Sequence, residues 1–136
     1  MILLTPDLRF ALRVNAINHR AAQRDEKPEP DPVPVLKLFN PVGAATWLAT
    51  ELDSDDDTLF GLADLGFGCP ELGYFSLSEI ASVRLPFGLG IERDIGFETP
   101  HSLAVWAAAA RRTGSILSAQ QLLRSTGANQ LPPRGG

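Results

Sequence analysis

One cysteine and two histidines are all that this 136-residue chain holds of the side chains that bind soft metals or carry thiol and imidazole chemistry. Cys69 alone excludes an internal disulfide, and a chain without disulfides fits a reducing compartment. His19 and His101 stand apart from each other and from Cys69, so no zinc-type spacing is present and no metal or cofactor is expected. No run approaches the roughly 18 apolar residues that a membrane span needs, so no membrane association is expected. The opening MILLTPDLRF has no positive region before its short apolar run and no small-residue cleavage site. It reads as no export signal, and a cytoplasmic location is the expectation. Glycines cluster at Gly66 and Gly68, but no lysine follows them, so a phosphate-cradling loop is not indicated.

Basic residues are scarce in the middle of the chain. Residues 37 to 100 carry eleven acids against Lys37, Arg84 and Arg93, while the two flanks hold nine bases against five acids. Phosphate contacts need Lys and Arg, so the central region is a poor binder of duplex DNA. Apolar residues are 44% and charged residues 21%, which places the chain among globular proteins and not among disordered ones.

The most informative stretch runs from residue 44 to 77. Thr46, Trp47 and Thr50, then Phe60 and Leu62, then Tyr74 and Phe75 favour strand, separated by an acidic turn and a glycine-rich turn. This is the pattern of a β-meander. In the first two runs both faces carry apolar residues, Trp47 with Ala45 and Ala49 on one and Leu48 with Leu52 on the other, so the sheet is expected to be covered on both sides. Val35 to Phe39 reads as an earlier strand, ended by the Asn40-Pro41-Val42-Gly43 turn. Residues 91 to 97 alternate and read as a later strand.

Helices flank these strands. Thr5-Pro6-Asp7 is a helix start, with a hydroxyl cap, proline at the first position and an acid in the first turn. The spacing predicts an apolar stripe of Phe10, Val14, Ile17 and Ala21, widened by Leu8, Ala11 and Leu12. Ser76-Leu77-Ser78-Glu79 has capping-box spacing and predicts a short helix to Val83. Thr99-Pro100 predicts a further start, with Leu103, Trp106, Ala107 and Ala110 on one face and Gly114 as the stop. A weaker helix is expected over Ser118 to Ser125. The expected fold class is therefore α+β: a small antiparallel sheet of four to five strands packed with amino- and carboxy-terminal helices. One domain is expected over residues 1–127, with an amino-terminal helix over 1–22, a Pro- and charge-rich connector over 23–34, the sheet core over 35–98 and helices over 99–126. The tail 128–136 lacks apolar periodicity and is expected to be disordered.

Three sets of residues are candidates for function. Glu51, Asp53, Asp55, Asp56 and Asp57 cluster at one end of the sheet and form a candidate binding surface for a basic protein partner. Asp53, Asp55 and Asp57 alternate as in a calcium loop, but Thr58 stands where the sharp turn needs glycine and Asp64 where it needs glutamate. Glu71, Glu92 and Asp94, with Arg93 as an anion clamp, are candidate catalytic residues of a metal-dependent hydrolase. Arg9, Arg13, Arg20 and Arg24 make the first helix basic and are candidates for nucleic-acid binding. Cys69 has acidic neighbours, which disfavour a thiolate, so a Cys69–His101 catalytic pair is the weaker expectation.

Several of these stretches also carry a resemblance. Lys37-Leu38-Phe39-Asn40-Pro41, Thr46-Trp47-Leu48 with Glu51-Leu52-Asp53, Asp57-Thr58-Leu59-Phe60-Gly61-Leu62, Asp64-Leu65-Gly66 with Pro70-Glu71-Leu72-Gly73-Tyr74, and Ile91-Glu92-Arg93-Asp94 resemble an uncharacterised bacterial domain-of-unknown-function family (2958) over about residues 34 to 98. That family is associated with plasmids and integrative conjugative elements. The resemblance implies a setting, DNA mobile between bacteria, and no established activity. The leading expectation is a non-catalytic accessory protein of a mobile element that blocks a host defence or nucleic-acid-processing complex. The hydrolase and the nucleic-acid binder are the alternatives.

Overall fold

The computed structural model describes residues 2–130, with side chains as far as residue 125. Its centre is a five-stranded antiparallel sheet in the order β4-β3-β2-β1-β5. The strands are β1 (Leu36–Phe39), β2 (Thr46–Leu52), β3 (Thr58–Asp64), β4 (Glu71–Ser76) and β5 (Glu92–Arg93). Helix α1 (Pro6–Arg24) precedes the sheet, α2 (Leu77–Ala81) follows β4, and α3 (Leu103–Thr113) and α4 (Ile116–Gln130) close the chain. The α+β class and the flanking helices match the sequence expectation. Among the described residues no helix is long and apolar enough to cross a membrane.

Successive strand residues point to opposite faces, and over β2 both faces are covered by apolar side chains. Leu36, Leu38, Trp47, Ala49, Leu52 and Leu59 form one core with Leu3, Leu4, Leu12, Ile80 and Ile91. Leu48 and Leu62, register partners on β2 and β3, form the other with Leu103, Trp106, Ala110, Ile116 and Ala119 of α3 and α4. Both faces of β2 thus meet apolar cover, but Leu52 shares the face of Trp47 and Ala49 and not that of Leu48, because the bulge between Ala49 and Glu51 shifts the alternation by one residue.

Local chemistry starts and stops the helices. Thr5 Oγ1 accepts from Leu8 N at α1, Ser76 Oγ accepts from Glu79 N at α2, and Gly114 closes α3 at φ 89°. Three expectations need correction. The α3 cap is Ser102, whose Oγ accepts from Val105 N, while Thr99 accepts from the Trp106 indole N–H. The later strand is only Glu92–Arg93, because pairing to β1 ends there. And α4 runs past residue 127 to Gln130, so the first residues of the expected disordered tail are helical. The rest of that tail, 131–136, lies outside the described residues.

The apolar stripe of α1 is also not the one the spacing predicts. Phe10 and Ile17 are 71% and 55% exposed, and the buried residues are Leu12 and Ala16. The reason lies in β2. It pairs with β1 only through Ala49, so Thr50 to Leu52 have no strand on that side. Helix α1 lies against this open edge. Asn15 Nδ2 donates to Thr50 O at 2.9 Å and Arg13 Nη1 to Leu52 O at 2.7 Å, satisfying carbonyls that a neighbouring strand would have taken. Satisfying those carbonyls sets the rotation of the helix.

The connector after α1 contains no regular element but is tied down. Pro32 O accepts from Leu103 N, and Asp31 Oδ1 from Ala104 N, at the start of α3.

Candidate interaction surface

Two sets of charges that the sequence presents as separate surfaces face each other in the structure. The Arg9 guanidinium pairs with the Asp56 carboxylate, and Arg20 pairs with Asp53. Arg13 binds Leu52 O as described, and Arg24 pairs with its neighbour Asp25. Of the candidate nucleic-acid-binding arginines, Arg9, Arg13 and Arg20 are therefore engaged with the acidic β2–β3 turn and its flank, and Arg24 with the end of its own helix. Asp55 bonds within the turn itself, and Asp57 bonds across to the start of α2. Asp55 accepts from Asp57 N, Thr58 N and the Thr58 hydroxyl, which hold its carboxyl down to about 2 from 3.8. Asp57 accepts from the Ser76 hydroxyl and Ser78 N at the start of α2, which lowers its pKa as well.

The candidate catalytic residues divide in two. Glu92, Arg93 and Asp94 lie together in a cleft of about 500 Å³ with Lys37, Phe39 and Asn40. Buried Lys37 donates to Gln120 Oε1 at 2.8 Å and lies 3.5 Å from Asp94 Oδ2, so Asp94 is already opposite a cation. Arg93 Nη1 donates to Ile2 O at 2.6 Å. Glu71 is at the start of β4, the opposite edge of the sheet, four strand spacings or about 19 Å away. The three carboxylates do not converge. Among the described residues no three His, Cys, Asp or Glu side chains are grouped to hold a metal ion.

What the fold does assemble is a cleft of about 350 Å³ between α1 and the β2–β3 hairpin. It is lined by His19, Arg20 and Gln23 from the helix and by Glu51, Asp53, Thr58, Phe60 and Tyr74 from the sheet. His19 Nδ1 is 2.9 Å from Glu51 Oε2, and Nε2 is 3.4 Å from Glu29 Oε1 on the connector, a charge contact without hydrogen-bond geometry. The bond to Glu51 raises the His19 pKa above its ordinary 6.5, burial opposing it, and Glu29 adds to the rise. Beside the cleft stands an aromatic wall. Phe60 and Tyr74 are cross-strand partners with ring centroids 5.0 Å apart. They and Leu72 share the sheet face that α3 and α4 cover farther in, over Leu48 and Leu62. Above β4 that cover ends, leaving Tyr74 73% and Leu72 40% exposed.

Of the expected binding residues, Glu51 and Asp53 line this cleft, while Asp55, Asp56 and Asp57 serve the turn, α1 and α2. The sequence presents His19 as isolated, with no histidine or cysteine near it, and so does not mark it as a site residue. A signal was nevertheless there, since Leu8, Leu12, Asn15, Ala16 and His19 recur at three and four residues and define one helix face.

These features define a class: a two-faced antiparallel sheet with an amphipathic, partly charged surface at its β4 end and, among its described residues, no grouping of side chains that could hold a metal ion. The family model described as protein of unknown function DUF2958 matches residues 3–117, most of the chain, and the chain belongs to that family. No curated protein and no solved structure matches it.

Proposed function

We propose that the chain is a non-catalytic interaction protein of a bacterial mobile element, and that it docks a protein partner on the surface formed by Tyr74, Leu72 and Phe60 with the adjoining His19–Glu51 cleft. Inhibition of a host defence or nucleic-acid-processing complex is the role in that setting that such a docking surface suits. The observation that carries the reading is the exposed Tyr74 ring, packed on Phe60 and bordered by charged side chains. A Tyr anchor beside Arg and carboxylate groups has the make-up of an interface centre, where a few aromatic and Arg residues supply most of the affinity. The acidic turn is a weaker docking surface than its composition suggests, since Asp53 and Asp56 are paired with arginines of α1.

The test is capture from a nuclease-treated bacterial lysate with the wild-type chain and with Tyr74→Ala and Glu51→Gln as baits. Tyr74→Ala is expected to lose at least tenfold in retention of the partner, the loss of about 1.4 kcal/mol or more that marks an interface anchor. If the captured partner is retained equally by Tyr74→Ala, the surface assignment is wrong. Capture that vanishes with nuclease would instead favour nucleic acid as the ligand.

A further inference from the structure

The outer edge of β4 carries an inference beyond the docking reading. In an antiparallel pair, residues alternate between those bonded to the partner strand and those whose N–H and C=O point away. Leu77 N donates to Asp57 O at 2.9 Å, which continues the β3–β4 register Thr58↔Ser76 by one step. Glu71, Gly73 and Phe75 therefore face β3, and Leu72 and Tyr74 present their backbone groups outward. Among the described residues nothing bonds to those outward groups. The contrast with β2 is informative, because there α1 takes up the free carbonyls of Thr50 and Leu52. Edges are commonly guarded by lysine, proline or a bulge, and β4, with the sequence ELGYFS, has none of these.

We propose that a second copy of this chain pairs with β4, antiparallel and centred on Gly73, to make a two-fold dimer with one ten-stranded sheet. A two-fold axis normal to the sheet keeps each face continuous, so opposed residues must share a face and the axis must pass a residue. Centring on Tyr74 would place Ser76 opposite Leu72, but Ser76 is the N-cap of α2, where the chain leaves the strand and the residue's C=O takes the first helical bond. Centring on Gly73 puts Leu72 opposite the partner's Tyr74 and Tyr74 opposite the partner's Leu72. Each pair exchanges both of its N–H···O bonds, four in all, and joins two exposed apolar side chains on one face. The only charge on β4, Glu71, falls opposite the partner's Phe75, about 13 Å along the strand from its own copy. Gly73 meets its copy at the close, non-hydrogen-bonded position, and space beside its backbone is open. The two Tyr74–Phe60 platforms then lie on one continuous face.

Gly73 supplies the test because its side-chain direction is away from Tyr74, so substituting it leaves the docking platform alone. Wild-type chain is expected to run at twice the 14.7 kDa chain mass in light scattering. Gly73→Glu and Gly73→Lys, each facing its own copy, should run at the single-chain mass with an unchanged circular dichroism spectrum, and should melt lower than wild type because the stabilisation by the partner copy is lost. An equimolar mixture of the two should return to twice that mass. Gly73→Cys in a Cys69→Ser background should oxidise to a covalent dimer, since the close pair brings two Cβ atoms within disulfide reach. A wild type that stays at the single-chain mass up to about 100 μM overturns the proposal. So does a dimer that survives both charged variants, which would place the contact elsewhere. Either result leaves the capture experiment with Tyr74→Ala to be judged separately.

Discussion

Replacing Asp64 should cost more stability than replacing any other carboxylate in the described structure. The side chain is fully buried at the end of β3, and its two oxygens accept from two backbone donors in different elements, Gly66 N in the following turn and Ile116 N at the start of α4, each at 2.9 Å. Hydrogen bonds to a charged acceptor contribute about 1.5–3 kcal/mol each, and a buried donor left alone loses its desolvation as well. Asp64→Ala strands both donors and is expected to cost about 3–5 kcal/mol, a large part of the roughly 5–15 kcal/mol available to a folded domain. Asp64→Asn keeps the shape but turns an amide NH₂ toward one of the two N–H groups, so it should lose about 2–3 kcal/mol. The assay is urea unfolding with Asp56→Asn as the exposed control. For an m of about 2 kcal/mol/M, a loss of 3 kcal/mol lowers the midpoint by about 1.5 M. The control should move by less than about 1 kcal/mol. If Asp64→Ala also costs less than about 1 kcal/mol, α4 is not held to β3 through this carboxylate and the reasoning fails.

Three other outcomes follow from the geometry. A Cβ on Gly61 would sit 1.8 Å from Leu48 O beside the bulge in β2, so Gly61→Ala should cost about 3 kcal/mol or prevent folding, whereas Gly73→Ala, with open space, should change stability by less than about 1 kcal/mol in the same thermal melt. His19 has a raised pKa in the folded chain, so its contact with Glu51 stabilises fully below 6.5 and fades as pH rises through the raised value. The stability gap between wild type and His19→Gln should therefore be wider at about pH 5 than at about pH 8, and an equal gap at both would contradict the pairing. Asp55 should titrate near 2 in an NMR experiment, with its contribution present above 3.8 and lost as pH falls through that lower value. Thr58→Val should move the midpoint back up, because the Thr58 hydroxyl is the largest cause of the shift.

Much of the fold was legible because its determinants are local. Thr5-Pro6, Ser76 with Glu79 and Gly114 each satisfy backbone groups a few residues away, so their chemistry is visible in a short window. Apolar side chains on both faces of β2 likewise implied cover on both sides before any packing was known. The misreadings share a cause. The stripe of Phe10, Val14 and Ile17 is as good a helical period as the true face, and only the bare carbonyls of Thr50 and Leu52 select Leu12, Asn15 and Ala16 instead. The expected strand over 91–97 alternates cleanly, yet it is limited by how far β1 extends beside it.

The candidate site was less legible for the same reason on a larger scale. Composition determined that the first helix is basic and the β2–β3 turn acidic, and residue type determined which groups could bind or titrate. Only the tertiary structure decided that Arg9 meets Asp56, 47 residues on, that Arg20 meets Asp53 and His19 meets Glu51, and that Glu71 and Glu92 stand on opposite edges of the sheet. A charge acts through distance and solvent exposure. Both are set by strand order and helix placement, so the chain's own sequence names the charges without saying which of them remain free.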